Sequence, residues 1–284
     1  MKPKISVILV NYGTTGLLLD ALDSLHRNFD AASYEVLVVD NSTPGFEPIQ
    51  ITGRYPGVTV LVNRINVGFG RANNQAAAAA LGTYLWLLNT DTLVPPDHNL
   101  HLLLKFLDSH IGHAAASPLL IDRDGRVQPG QRASFPGLAR MLAEKPARLV
   151  ARLVPSTRPL FARLTPDFAG LEESDVPVAV AASLFVRTSC FRDVGGFSPE
   201  FFMFLEDSDL CRKFADKGYK VRFVPQARMV HLWGGSIDSQ YEAKRMYYAS
   251  QDIYLQKWSP RWVPALARML RVPFRFHYSR DRYR

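Results

Sequence analysis

Three short stretches of this 284-residue chain carry side chains whose types and spacing can do chemistry. In Glu206-Asp207-Ser208-Asp209, three carboxylates fall within four residues at a helix N-terminus, directly after Phe201-Phe202-Met203-Phe204-Leu205. Capping and dipole compensation need only one acid there. Three acids beside an aromatic wall suit a general base, because partial desolvation raises basicity while the helix end keeps the group ionised. Asn89-Thr90-Asp91 places an amide and a carboxylate two residues apart after an apolar run. Oxygen ligands at that spacing can hold Mg2+ or Mn2+ against a diphosphate, although a plain turn uses the same residue types. His231 precedes Leu232-Trp233-Gly234-Gly235; a lone histidine is usually a packing residue, but beside a Gly-Gly turn it can also serve as a metal ligand or phosphate donor.

Other chemistries are excluded by what is missing. Asn66-Val67-Gly68-Phe69-Gly70-Arg71-Ala72-Asn73-Asn74 contains a GxG but no third glycine, and it does not follow the first strand, so it is no dinucleotide fingerprint. No GxxxxGK[ST], GxSxG or HExxH occurs, which removes P-loop NTPases, α/β-hydrolases and zincins. The two cysteines, Cys190 and Cys211, form no CxxC pair; neither a disulfide scaffold nor a thiolate zinc site is supported, and a reducing compartment is expected.

The elements that must position these residues follow from hydrophobic pattern. Ile5–Val10, Glu35–Val39, Val58–Val62 and Tyr84–Leu88 read as strands, with helices over Leu17–His26 and Asn73–Leu81 between them. This βαβ rhythm predicts a mostly parallel sheet with helices on both faces, and such sheets bind ligands beyond the carboxyl ends of their strands. Asn11, Asp40 and Asn89 to Asp91 all stand at those ends. Further on, Asp124-Gly125 signals a hairpin turn between Leu119–Ile121 and Arg126–Gln128. Val178–Arg187 and Val221–Val224 read as strands, and Ser208–Lys217 reads as a helix stopped by Gly218.

Charge is concentrated in two segments. The chain carries a formal +8, yet residues 130–165 hold seven basic residues against one acid and residues 256–284 hold eight against one. Both interleave arginine with apolar residues, which suits contact with anionic lipid headgroups and equally a solvated face or nucleic acid. Pro264 and Pro273 are expected to break any long helix in the second segment. The apolar run after Met1 is too short for a secretion signal, and no run approaches the roughly 18 residues of a membrane span. The expected location is cytoplasmic, at the inner face of the membrane if the basic tail binds lipid.

Taken together, the stretches resemble the family-2 glycosyltransferases, inverting sugar-nucleotide enzymes of the GT-A fold. The matching residues are Val7–Tyr12, Val38–Ser42, Asn66–Asn74, Leu87–Asp91, Asp193–Phe197, Glu200–Cys211 and His231, in that order. The resemblance implies a nucleotide-sugar half over residues 1–115, an acceptor-binding and catalytic half of the same domain over 116–240, and a helical, basic extension over 241–284. It implies that Asn11, Asp40, Asn41, Asn66, Gly68, Arg71 and Asn89 hold the nucleotide, with Asp40 on the pyrimidine edge. Asp91 and His231 would contact Mg2+ or Mn2+, and Asp207 would be the base supported by Glu206 and Asp209. Phe202, Phe204 and Trp233 are expected to stack on the acceptor, a glycan or lipid-linked saccharide.

Asn89 stands where the family has the first aspartate of its DxD motif, which removes a charge from the metal site. The same variant, with the Asp124-Gly125 hairpin and Gln128 behind it, is similar to rhamnosyltransferases. The implied donor is therefore dTDP-L-rhamnose, with a UDP-linked sugar as the alternative. The remaining alternative is an inactive nucleotide-sugar or nucleic-acid-binding relative. Nucleic acid is not the expected partner, because the acids of residues 206–209 and of the strand ends would repel phosphate.

Overall fold

Alternation of side chains along four strands decides the layering. In the computed structural model, which describes residues 3–29, 34–138, 150, 152–157, 171–232 and 240–270, β1 (Ile5–Asn11), β2 (Tyr34–Asp40), β3 (Val58–Val62) and β4 (Tyr84–Asn89) lie parallel in the order β3-β2-β1-β4. Val7, Leu9, Val36, Val38, Trp86 and Leu88 enter one core, where α1 (Thr15–Asn28) and α4 (His101–Ser109) contribute Leu18, Leu22, Leu25, Leu103 and Leu107. Their neighbours Ile8, Leu37, Val39, Leu85 and Leu87 enter the other. Strands apolar on both faces need cover on both, and that cover is what the helices supply. On the second face α3 (Phe69–Ala79) presents Ala72, Ala76 and Ala77, small residues that let the helix lie close to the sheet. A four-residue helix, α2 (Ile49–Thr52), precedes β3.

The sheet continues past β4 with mixed direction. β10 (Ser183–Arg187) runs antiparallel between β4 and β6 (His113–Ile121), and β11 (Lys220–His231) runs parallel to β6. β5 (Thr92–Leu93) and β8 (Ser174–Asp175) pair antiparallel with β11, giving nine described strands. Stacking of Trp86 on Phe185 at 4.6 Å and the Trp86 Nε1 bond to Ser183 Oγ at 3.0 Å tie β4 to β10.

Several boundaries differ from the pattern-based expectation, each for a local reason. The expected strand 178–187 is two: β9 (Val178–Ala179) pairs with β7 (Arg132–Ala133) in a separate small sheet, and residues 180–182 cross over to β10. That crossing is fixed by Val180 N donating to Gln131 O and by Asn89 N donating to Ala182 O, both bonds that a pattern of apolar residues does not reveal. α3 begins at Phe69, four residues earlier than expected, because Gly68 at φ +89° supplies the turn that starts it. β11 runs on to His231 because its register slips between Val224 and Arg228, around Pro225, whose missing N–H interrupts the ladder without ending it. The Asp124-Gly125 turn forms, with Gly125 at φ +77° and a bridge between Ile121 and Val127.

Two more helices flank the second half: α5 (Thr188–Asp193) and α6 (Glu206–Asp216), the latter with Gly218 beyond its end at φ +80°. α7 (Gln240–Trp258) and α8 (Val263–Leu270) follow, and Leu255, Val263 and Ala267 close a small core of their own. Pro264 opens α8 instead of breaking it; in the first turn its absent N–H has no intrahelical partner to lose. Among the described residues no helix is long and apolar enough to cross a membrane.

Candidate active site

Parallel register brings the strand-end polar residues to one edge. Asn11 pairs with Asp40 across β1 and β2, and Val10 with Asn89 across β1 and β4. Asn11 Nδ2 donates to Asp40 Oδ1 at 2.8 Å, and Asp40 Oδ2 accepts from Thr43 N at 3.0 Å. Asp40 is 1% exposed, so here it braces the loop after β2 and does not present a free edge to a base. Asn41 Nδ2 donates to Asn66 Oδ1 at 2.7 Å, while Asn41 Oδ1 accepts from Val67 N and Asn66 Oδ1 from Gly68 N. Asn41 N donates to Asn11 O at 2.7 Å, which joins Asn11, Asp40, Asn41 and Asn66 into one hydrogen-bonded floor at the strand ends.

The segment Asn66–Asn74 leaves that floor and grips the chain leading to the acids. Phe69 N donates to Phe202 O at 3.0 Å, Arg71 Nε to Pro199 O at 2.7 Å, and the Asn74 amide exchanges two bonds with the backbone of Phe197, at 2.8 and 2.9 Å. A Cβ on Gly68 would come within 2.6 Å of Phe202 O, so this approach is open to glycine alone. Arg71 is exposed and engaged outward, away from the cavity described next.

The acids sit at the lip of a cavity of about 270 Å³ whose walls include Asn89, Gln128, Phe204, Glu206, Asp207 and His231. They are aimed by a turn in which Phe204 and Leu205 take φ of +70° and +62°, a left-handed conformation that costs a non-glycine residue roughly 1–2 kcal/mol. Ser250 Oγ on α7 holds that turn by donating to Met203 O at 2.6 Å. Burial, reinforced by the charge of Asp207, pushes the Glu206 carboxyl from an ordinary 4.5 up to about 8. Burial also pushes Asp207 up, opposed by the N–H of Ser208, which donates to Asp207 Oδ1 at 2.6 Å. At neutral pH Glu206 is thus the protonated partner and Asp207 the better anion.

Asp209 does not join them. Fully buried, its carboxylate takes Ser198 Oγ at 2.5 Å, Trp258 Nε1 at 2.8 Å and Lys257 Nζ at 2.8 Å. It ties the end of α7 to α6, a structural role where a supporting catalytic one was expected. At i+2 from Asp207 on a helix it faces elsewhere.

Opposite the acids, His231 Nε2 lies 3.3 Å from Asp91 Oδ1. Gln128 decides what that contact is. Its Nε2 donates to the His231 carbonyl, which can only accept, so its Oε1 must face His231 Nδ1, 2.8 Å away, and take a proton from it. In a neutral imidazole the Nε2 lone pair then points at a carboxylate oxygen. A cation between the two resolves that contact, either a proton on Nε2 or a metal ion, and the donor set, one imidazole and one carboxylate, suits a divalent ion completed by phosphate oxygens. The buried Asn89 Oδ1, without a hydrogen-bond partner, faces the same cavity. The residues therefore fit Mg2+ or Mn2+. Among the described residues no group of three or more His, Cys, Asp or Glu side chains forms a closed metal cage.

The structure thus gathers Asn89, Asp91, Phe204, Glu206, Asp207 and His231, sets Asn11, Asp40, Asn41, Asn66 and Gly68 beneath and beside them, and leaves Arg71, Phe202 and Asp209 out. Phe202 is 44% exposed on the far side of Gly68, and Trp233 lies outside the described residues. Gln128 was visible in the sequence only as a residue following a turn; its part in the site depends on a partner 103 residues away.

Comparison with known proteins agrees with this fold. Residues 6–158 match the model of glycosyl transferase family 2. An N-acetylglucosaminyl-diphospho-decaprenol L-rhamnosyltransferase from Mycobacterium tuberculosis is 30% identical over 211 residues, covering 69% of this chain and 66% of that relative. The chain thus spans just under two thirds of that relative's length. Rhamnosyltransferase WbbL of Escherichia coli is 24% identical over 79% of this chain and 82% of the relative. Among solved structures, the mannosyltransferase PcManGT from Pyrobaculum calidifontis in complex with GDP-Man and Mn2+ superimposes with a TM-score of 0.61 at 19% identity, over 94% of this chain and 69% of that one. GalNAc-T7 with UDP, GalNAc and Mn2+ gives 0.63 at 15% identity, over 92% and 49%. These structures share the GT-A fold. With residues 6–158 matching the family model and the sheet in agreement with it, the chain belongs to glycosyl transferase family 2.

Proposed function

We propose that this chain transfers a sugar from a nucleoside-diphosphate sugar, with inversion, to a hydroxyl of a glycan or lipid-linked saccharide, and that the donor is dTDP-L-rhamnose. The observation that carries the reading is one cavity lined by the acid pair Glu206–Asp207 and by His231, behind which Asp91 lies 3.3 Å from the imidazole. The rhamnosyltransferase relatives support rhamnose as the transferred sugar.

The transfer is a single in-line displacement. Asp207 takes the proton of the acceptor hydroxyl as its oxygen bonds to the anomeric carbon; the bond from that carbon to the diphosphate oxygen breaks, and the nucleoside diphosphate leaves with the electron pair. Glu206, protonated, holds no second negative charge beside the base and can donate to a sugar oxygen. Asp91 and His231 would hold a divalent cation, which offsets charge developing on the departing diphosphate. The tail rich in arginine, in this reading, brings the protein to the anionic inner face of the membrane where a lipid-linked acceptor lies.

The test is Asp207→Asn. Turnover should fall about 10²–10⁴-fold while calorimetric affinity for the nucleoside diphosphate stays within a factor of two or three. Turnover near that of the wild type would remove Asp207 from this role.

A further inference from the structure

The acid pair borders a second cavity, of about 260 Å³, that the donor does not need. It shares Gly130, Val180, Phe204, Glu206 and Asp207 with the first, but where the first is walled by the strand-end residues Asn89 and His231 and by Gln128, the second is walled by Val178, Leu205 and, from α7, Tyr247 and Gln251. A base in an inverting displacement must touch the acceptor hydroxyl on the side away from the leaving group. Two cavities meeting at one carboxylate are the arrangement that requirement produces.

Gln251 is the unexplained residue. It is 5% exposed on α7, and its Oε1 is buried without a hydrogen-bond partner. The Oε2 of Glu206, on the same cavity, is also buried and unpartnered, and on a protonated carboxyl it can donate as well as accept. A buried acceptor atom left unpaired destabilises a fold, so its retention marks a place where a donor arrives from outside. Apart from the acids and Ser208, the other side chains of the lining are apolar or aromatic, with Phe204 and Tyr247 edge to face at 6.1 Å. No lysine or arginine lines the cavity among the described residues, which disfavours a phosphate. Hydroxyl donors on a ring with apolar C–H faces fit both halves of this lining.

We infer that this second cavity seats the uncharged sugar ring of the acceptor, and that Gln251 is a specificity-determining residue whose Oε1 accepts from a ring hydroxyl. Any diphosphate on the acceptor then lies outside the cavity, toward solvent or membrane. The inference rests on the transferase reading above.

The test uses the full chain with dTDP-L-rhamnose as donor and N-acetylglucosaminyl diphosphate on a short alkyl chain as acceptor. Gln251→Met, which keeps the length of the side chain, should raise KM for the acceptor roughly 5–10-fold, the value of one neutral hydrogen bond, with KM for the donor within twofold. The same variant should melt about 2–4 °C higher than the wild type, because an unsatisfied buried oxygen has gone. Gln251→Glu, which retains the acceptor oxygen, should lose less acceptor affinity than the methionine variant. An unchanged acceptor KM, equal changes in both KM values, or a lower melting temperature for Gln251→Met would each overturn the inference. Wild-type protein that neither transfers to this acceptor nor slowly hydrolyses the donor would overturn the transferase reading and this inference with it. Hydrolysis with an unmoved acceptor KM would overturn this inference alone.

Discussion

Glu206 and Asp207 show how far a pair of adjacent carboxylates can be set apart by their surroundings. Burial raises both, but Asp207 has the fuller set of donors, with Ser208 N at 2.6 Å and Ser208 Oγ at 3.3 Å, so the proton settles on Glu206, raised to about 8. A carboxyl that binds its proton more tightly when folded stabilises the protein while protonated, and that contribution fades as pH rises from about 4.5 to about 8. Glu206→Gln should therefore flatten the dependence of melting temperature on pH across that window and raise stability at its upper end. The slope removed is at most about 1.4 kcal/mol per pH unit. Thermal melts of both proteins from pH 5 to 9 check this; parallel curves would mean that Glu206 is ionised throughout. The sequence made the acids conspicuous through their density, but not their division of labour. Asp209 looks the equal of Asp207 in sequence, and only the packing of Ser198, Lys257 and Trp258 around it reveals a different task.

Between elements, the informative segment is Asn66–Asn74. The family resemblance implies that it holds the nucleotide, yet its bonds run to residues 197–202, and through them it positions the strained turn at Phe204 and Leu205. The floor of the donor side and the helix carrying the base are thus one mechanical unit. Gly68→Ala tests this coupling. Its Cβ would meet Phe202 O at 2.6 Å at a φ of +89°, so stability in urea should fall by about 1–3 kcal/mol. Turnover should fall with it as the acids shift, because a displacement of the order of 1 Å can cost about 10² in rate. A variant with normal stability and turnover would show that the two segments are not held together. Strand positions in the first half were legible because parallel strands buried on both faces read as continuous apolar runs. The break at residues 180–182 and the long β11 were not, since both are set by hydrogen bonds and by Pro225 rather than by periodicity.

For the whole molecule, the labour is divided: parallel β1, β2 and β4 end in the donor-side polar network, and β9, α6 and α7 supply the acids and the walls of the second cavity. The order of these parts along the chain could be read from the sequence, but the docking of α7 onto α6 could not, because it depends on the buried Asp209 contacts and on Ser250. The claim that joins all scales is that this crevice binds a nucleoside diphosphate through a cation held at Asp91 and His231. The direct measurement is a thermal-shift series of dTDP, UDP, GDP and CDP, each with and without Mn2+ or Mg2+. At a hundredfold excess over Kd, bound nucleotide should raise the melting temperature by about 5–10 °C. The expected result is a shift with dTDP that requires the metal and is lost in His231→Ala; a preference for UDP would keep the transferase and change the donor. No shift with any nucleotide would contradict the reading of this site.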